Sequence, residues 1–177
     1  MIGKRILGLV AALVTAVAVT TAAVAWDAAA EQKAHATIAQ FKKTDPSLQA
    51  FFDKAYGYAV FPEITKGAIG IGGARGDGTV FEGGNAIGST VMSQVTIGLQ
   101  LGGQTYSEII FFQNKAALDS FTKGNYEFSA NASAIAAKEG ASKTADYNMG
   151  VAIFTMGTEG LMFEASIGGQ KFSYQPK

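Results

Sequence analysis

Ala30, Ala34, Ile38 and Phe41 recur at spacings of four, four and three residues, which lines one side of a helix. Lys33, His35, Gln40, Lys42 and Lys43 fall off that stripe, and Asp27 stands where an N-cap belongs. A helix is therefore predicted from about Asp27 to Lys43. Thr44-Asp45-Pro46 ends it and begins another, with Asp45 as cap and Pro46 in the first helical position. Leu48, Phe51, Phe52, Ala55 and Tyr56 repeat the i, i+3, i+4 spacing until Gly57 stops it. These two short amphipathic helices are expected to cover the small-residue face of the sheet that follows.

Beyond Gly57 the period changes to two. Tyr58, Val60, Ile69, Ile71, Val80 and Phe81 favour extended backbone, while Ala68, Gly70, Gly72, Ala74 and Gly76 hold successive even positions. Alternate side chains of a strand point to opposite faces, so one face here is nearly bare backbone. Another element is expected to approach it closely. Gly76-Asp77-Gly78 reads as the tight turn of a hairpin. From Gln94, Val95, Ile97, Leu99 and Leu101 alternate with polar residues and glycine, which predicts a strand with those four on one buried face. Gly102-Gly103 turns into a strand over Thr105 to Gln113, where Ile109-Ile110-Phe111-Phe112 predicts burial on both sides.

Asn114 is the expected cap of a short helix through Phe121, with Ala117, Leu118 and Phe121 inward and Gly124 closing it. Residues 127–137 alternate as a strand would but are rich in alanine, a helix former. Period two persists through most of the run, so a strand is predicted. Met149 to Met156 and Leu161 to Ile167 read as a hairpin across Gly157-Thr158-Glu159-Gly160, and Gly168-Gly169 turns into a last strand, Lys171 to Tyr174. The expected fold class is α+β: an antiparallel β-rich sandwich or barrel-like sheet, with two N-terminal amphipathic helices and one short helix between strands.

Residues 1–25 have the form of an export signal. Lys4 and Arg5 precede the apolar run Ile6 to Val19, and Ala23-Val24-Ala25 supplies a small-x-small cleavage pattern. Cleavage after Ala25 and a periplasmic or secreted location are expected, the competing reading being a retained membrane anchor. Residues 26–177 then form a single domain with 12 basic and 14 acidic groups, a net charge of −2. A balance this close to neutral offers no global attraction to nucleic acid. The chain has no cysteine, so any oxidising compartment is not used for stapling.

The glycines around residue 70 do not make a phosphate loop. Counting from Gly70, Arg75 occupies the third glycine position of a dinucleotide fingerprint, and Thr79-Val80-Phe81 follows where a helix is required. His35 is the sole histidine, without a cysteine nearby, so neither a metal site nor a Ser-His-Asp arrangement is expected. Glu63, Asp77, Glu82, Glu108 and Glu164 are scattered over strands, where carboxylates are usually solvated. No catalytic residues, cofactor or enzymatic activity are predicted.

Several segments together resemble the SYLF-domain family of lipid-binding proteins. They are Ala55-Tyr56-Gly57-Tyr58-Ala59-Val60-Phe61-Pro62 with Lys66-Gly67, and Gly72-Gly73 with Gly76 and Gly78. Ile97-Gly98-Leu99-Gln100-Leu101-Gly102-Gly103-Gln104, Glu108-Ile109-Ile110-Phe111-Phe112 and the run from Gly160 to Gly169 complete the match. The resemblance implies a compact β-rich domain that binds membrane lipid, with phosphoinositide or actin binding in eukaryotic members. Those members carry a Trp-Ser-x-Pro segment where this chain reads Ile87-Gly88-Ser89-Thr90-Val91-Met92. Actin is therefore not an expected partner, and the chain looks like a bacterial exported member.

Lipid contact is expected at Lys33, Lys42, Lys43 and Lys54, which lie among Phe41, Phe51 and Phe52 and combine charge attraction with aromatic insertion. An apolar pocket among the strands is the second route. Two other classes compete: a small outer-membrane β-barrel, and a structural or protein-interaction module. The export reading is checked by intact mass from the native host, which should correspond to a chain starting at Trp26. A mass that includes Met1 to Ala25 would assign a retained anchor instead.

Overall fold

The computed structural model describes residues 26–69, 71–97, 104–157 and 167–177. Helix α1 (Ala28–Thr44) begins where Asp27 accepts a hydrogen bond from the Ala29 N–H, and Ala34, Thr37, Ile38 and Phe41 form its buried stripe. A 3-10 turn, Pro46–Leu48, is capped by Asp45 and runs into α2 (Gln49–Lys54). Gly57 does not stop this helix. Ala55 is already extended, and Gly57 is the first residue of β1 (Gly57–Ile69), where a Cβ would lie 2.5 Å from the Phe81 carbonyl.

The remaining strands are β2 (Ile71–Glu82), β3 (Asn85–Ile97), β4 (Gln104–Phe112), β5 (Tyr126–Glu127), β6 (Ile135–Ala136), β7 (Val151–Gly157) and β8 (Lys171–Pro176), with α3 (Lys115–Thr122) after β4. They form one curled, eight-stranded sheet in the order β5-β8-β3-β2-β1-β4-β7-β6. All pairs are antiparallel except β6 with β7, which makes the sheet mixed.

The hairpin expected at Gly76-Asp77-Gly78 is absent, because β2 runs straight through these residues. The β1–β2 register closes at Ile69 opposite Ile71, and the β2–β3 turn is Gly83-Gly84, both at positive φ. Glycines 76 and 78 instead make room within the sheet. A Cβ on Gly76 would sit 2.6 Å from Ile64 Cγ1, and one on Gly78 would sit 2.7 Å from the Phe61 ring. Both neighbours belong to β1, where a bulge between Val60 and Glu63 turns Phe61 and Ile64 onto the same face. The close approach is thus by side chains of the adjacent strand, not by the helices.

Each face of the sheet has its own apolar core. On one face α1, α2 and the 3-10 turn cover Tyr58, Val60, Phe81, Ile109, Phe111 and Phe154. On the other, Leu118 and Phe121 of α3 meet Phe61, Ile110, Phe112, Ile153 and Phe172. The N-terminal helices therefore cover the face opposite the small residues, since Gly76, Gly78 and Val80 share the α3 side. The 109–112 run is buried on both sides, as its composition predicts.

Two further expectations are corrected. Val95 is 76% exposed while Gln94 and Met92 are buried, so the inward face of β3 is the even-numbered one. Pairing with β8, which sets Met92 opposite Phe172, fixes that choice, and the apolar alternation loses to it. Residues 127–137 are not one strand. The ends pair as named strands, β5 with β8 and β6 with β7, while between them Phe128 bonds the backbone of Gly169 and Gln170 and Ser133 makes a lone bridge, so that residues 128–134 cross between the two sheet edges and place Phe128 and Ala134 in the α3-side core. Gly70, the Gly98–Gly103 run and the predicted strand start at Leu161 lie outside the described residues.

Gly78→Ala should overpack against Phe61 and lower stability by about 1–3 kcal/mol. Gly67→Ala, with nothing within 4 Å of the added Cβ, should leave it nearly unchanged. Thermal melts of the two variants check the contrast.

Candidate functional site

Asp45 arranges the surface in which the sequence places lipid contact. Its side chain is buried and caps the 3-10 turn by accepting from the Ser47 N–H and from the Ser47 hydroxyl. It reaches across the chain to accept from the backbone N–H groups of Gly140 at 3.1 Å and Ser142 at 2.8 Å. Ser47 and Ser142 hydroxyls complete the link at 2.6 Å. Burial pushes this carboxyl up, but the hydrogen bonds from Ser47, Ser142 and Gly140 outweigh it and hold it below the ordinary value.

The consequence is a second 3-10 turn, Ala141–Thr144, fixed against the α1–α2 corner. Lys143 of that turn and Lys54 of α2 line one concavity of about 370 Å³, with Phe51, Tyr147, Ala145 and Asp146. Phe51 packs at 5.4 Å from Tyr147 and 5.1 Å from Phe154, so the floor is aromatic and rigid. Lys42 stands 4.4 Å above the Phe52 ring.

The seven residues singled out from the sequence do not form one face. Phe41 is fully buried and belongs to the core, so it has no part in surface insertion. Phe51 and Phe52 are half-buried, with Lys43 and Lys54 exposed. Lys33 and Lys42 lie nine residues apart, about 180° around the helix and about 14 Å along it. Lys33 is thus separated from the other three. Lys143 escaped notice because the contact that brings it to Lys54 spans the chain from Asp45 to Ser142, which residue spacing does not reveal.

A second polar cluster lies inside the α3-side core. Glu108 is fully buried on β4, opposite Phe61 on one side and Thr155 on the other. Gln170 Nε2 donates to Glu108 Oε2 at 3.1 Å and to the Tyr106 hydroxyl at 3.2 Å. Glu108 Oε1, Gln170 Oε1 and Thr155 Oγ1 are buried without a hydrogen-bond partner. Burial pushes the Glu108 carboxyl up to about 7, against the partial relief given by Gln170. The same burial, with Glu108 beside it, raises the Tyr106 phenol. The expectation that strand carboxylates are solvated fails at Glu108. No cluster of metal-ligating side chains occurs among the described residues, nor any helix long and apolar enough to cross a membrane.

Residues 93–176, from β3 to β8, match the family model described as Ysc84, Las17-binding protein actin regulator. Over 130 residues the chain is 37% identical to Beta cell expansion factor A of Aeromonas veronii, covering 72% of this chain and 49% of that protein. The chain belongs to the Ysc84/SYLF family. It spans about half the length of the curated relative it matches. The stretch matched to the SYLF model contains Glu108, Gln170 and Lys143, whereas α1 and α2 precede it.

Glu108 gives the fold a pH dependence whose sign is fixed. Its folded-state pKa lies above the ordinary 4.5, so the folded protein binds a proton that the unfolded chain has lost. The stabilisation is complete below about pH 4.5 and declines as pH rises to about 7, by roughly 3 kcal/mol in total. Glu108→Gln should therefore flatten the melting temperature between about pH 5 and 8 and raise it at the alkaline end. A parent-like slope in the variant would place the titration elsewhere.

Proposed function

We propose that this SYLF-family protein is an exported, non-enzymatic module that associates with anionic lipid surfaces through the corner built around Asp45. One observation carries the reading: Lys54 and Lys143, 89 positions apart in sequence, line the same aromatic-floored concavity. A lysine pair above Phe51 and Tyr147 suits a phosphate-bearing headgroup whose glycerol and upper acyl region rest on the rings. Lys42 and Lys43 add charge at the adjacent end of α1, so the local field is basic although residues 26–177 are net acidic. Asp146 in the same lining limits that field.

The competing β-barrel reading is disfavoured by the helices packed on both faces of the sheet, and among the described residues β5 and β6 stand at its edges. A lipid-spanning barrel closes its edges and presents an apolar outer girdle. The family description as an actin regulator belongs to the family model, and actin is not adopted as a partner for this chain.

Lys54→Glu/Lys143→Glu should weaken sedimentation with phosphatidylglycerol-containing vesicles by at least about tenfold at low salt, since each lysine near an anionic surface is worth about 1 kcal/mol. The difference should shrink at about 0.5 M salt. Lys42→Glu/Lys43→Glu should produce a loss of similar direction. Parent-like binding by both double variants would remove this corner as the lipid contact.

A further inference from the structure

Among the described residues β5 and β6, the two edges of the curled sheet, do not pair with each other. β5 and β6 are each two residues long, and residues 128–134 bridge the gap between them. A cavity of about 860 Å³ opens at this seam, bounded by α3, the bridging segment and the loop before β7. That volume is in the range of small-molecule sites. It is separate from the lysine-lined concavity, although Asp146 borders both.

The lining has a definite chemistry. Four carboxamides converge from three segments: Gln113 and Asn114 before α3, Asn131 on the bridge, and Asn148 on the β7 loop. Asn114 spends its carbonyl oxygen on the Ala117 N–H, which leaves its amide hydrogens as donors. Asp146 supplies a carboxylate, Glu127 a second one shared with Lys171 at 3.7 Å, and none of the described lining residues is lysine or arginine. Phosphates and carboxylates are thus disfavoured here by like charge. A plain hydrocarbon chain is disfavoured too, since it would strip water from amides and carboxylates without replacing their hydrogen bonds.

A ligand bearing many neutral hydroxyls meets every requirement. Each hydroxyl both donates and accepts, so neighbouring pairs match a carboxamide, and carboxylates accept from the rest. Its C–H face finds the half-buried Tyr126 ring, with Phe128 and Ile153 deeper in the lining.

The lip of the cavity shows an independent anomaly. Asn148 and Val151 exchange both backbone hydrogen bonds, at 2.8 and 3.0 Å, around a two-residue turn with Met149 at φ 50° and Gly150 at φ 82°. Asn or Gly normally occupies the first of these positions. Met149 sits there in a strained left-handed conformation with 93% of its surface exposed, at the cavity margin. Strain kept at a pocket margin is a feature of ligand-contacting loops.

The geometry points to a binding site for a neutral saccharide of one or two rings in the seam between β5 and β6. The test is saturation-transfer NMR on the full protein, with maltose, cellobiose and N,N′-diacetylchitobiose as probes at millimolar concentration. At least one should receive saturation on its ring protons. Asn131→Ala/Asn148→Ala should weaken that probe about tenfold, with an unchanged melting temperature, and each single variant should show part of the loss. Lys54→Glu/Lys143→Glu should leave saccharide binding intact, which separates this site from lipid association. Lack of transfer to all three probes, or undiminished transfer in the asparagine variants, overturns the assignment. So does a cavity that takes monooctanoylglycerol but no saccharide, which would make it a hydrocarbon site.

Discussion

Cover on both faces of the sheet is the constraint on which the rest of this molecule depends. With helices on one side and α3 plus the 128–134 bridge on the other, β1 and β4 have no solvent side along Ile109 to Phe112. Every side chain in that zone is either apolar or obliged to find a partner indoors. Most are apolar, and rings from strands, helices and bridge interlock on each face, Phe112 lying 4.9 Å from Phe121 and Phe52 lying 4.8 Å from Phe111. Glu108, at the middle of β4, is the charged exception to that apolar majority. The fold tolerates it by surrounding it with Tyr106 and Gln170 and by holding its proton more tightly than water would.

The same double cover explains where binding surfaces can be. A sheet with two occupied faces offers only the backs of its covering elements and the gap at its edges. The Asp45 corner uses the first of these. It is the outer side of the helical layer, made chemically useful because one carboxylate holds α1, α2 and residues 140–143 together. The site proposed at the seam between β5 and β6 uses the second, and its described lining comes from α3, the 128–134 bridge, the short edges and the start of β7.

Local features of this arrangement are legible in the sequence. The caps Asp27, Asp45 and Asn114, the stripe through Ala34, Ile38 and Phe41, and the doubly buried 109–112 run each follow from residues adjacent in the chain or one turn apart. What escapes is decided by strand neighbours. The glycines at 76 and 78 resemble a turn until Phe61 and Ile64 are seen lying against them from β1. Val95 resembles a core residue until β8 fixes the face of β3. The candidate lipid surface divides in the same way. Lys42, Phe52 and Lys54 stand close in sequence, while Lys143 arrives through the hydrogen bond of its neighbour Ser142 to Asp45, 97 positions before Ser142.

That 97-residue span has a bearing on the order in which the molecule assembles. Asp45 leaves the ribosome early, yet its backbone donors at Gly140 and Ser142 appear only after β1 to β6 have been made. Until then the carboxylate has only Ser47 to accept from, and the apolar side of α1 lacks Ala152, Phe154 and Met156 of β7. The α1–α2 layer therefore gains its full set of partners only after a loop closure whose entropic cost grows slowly with length.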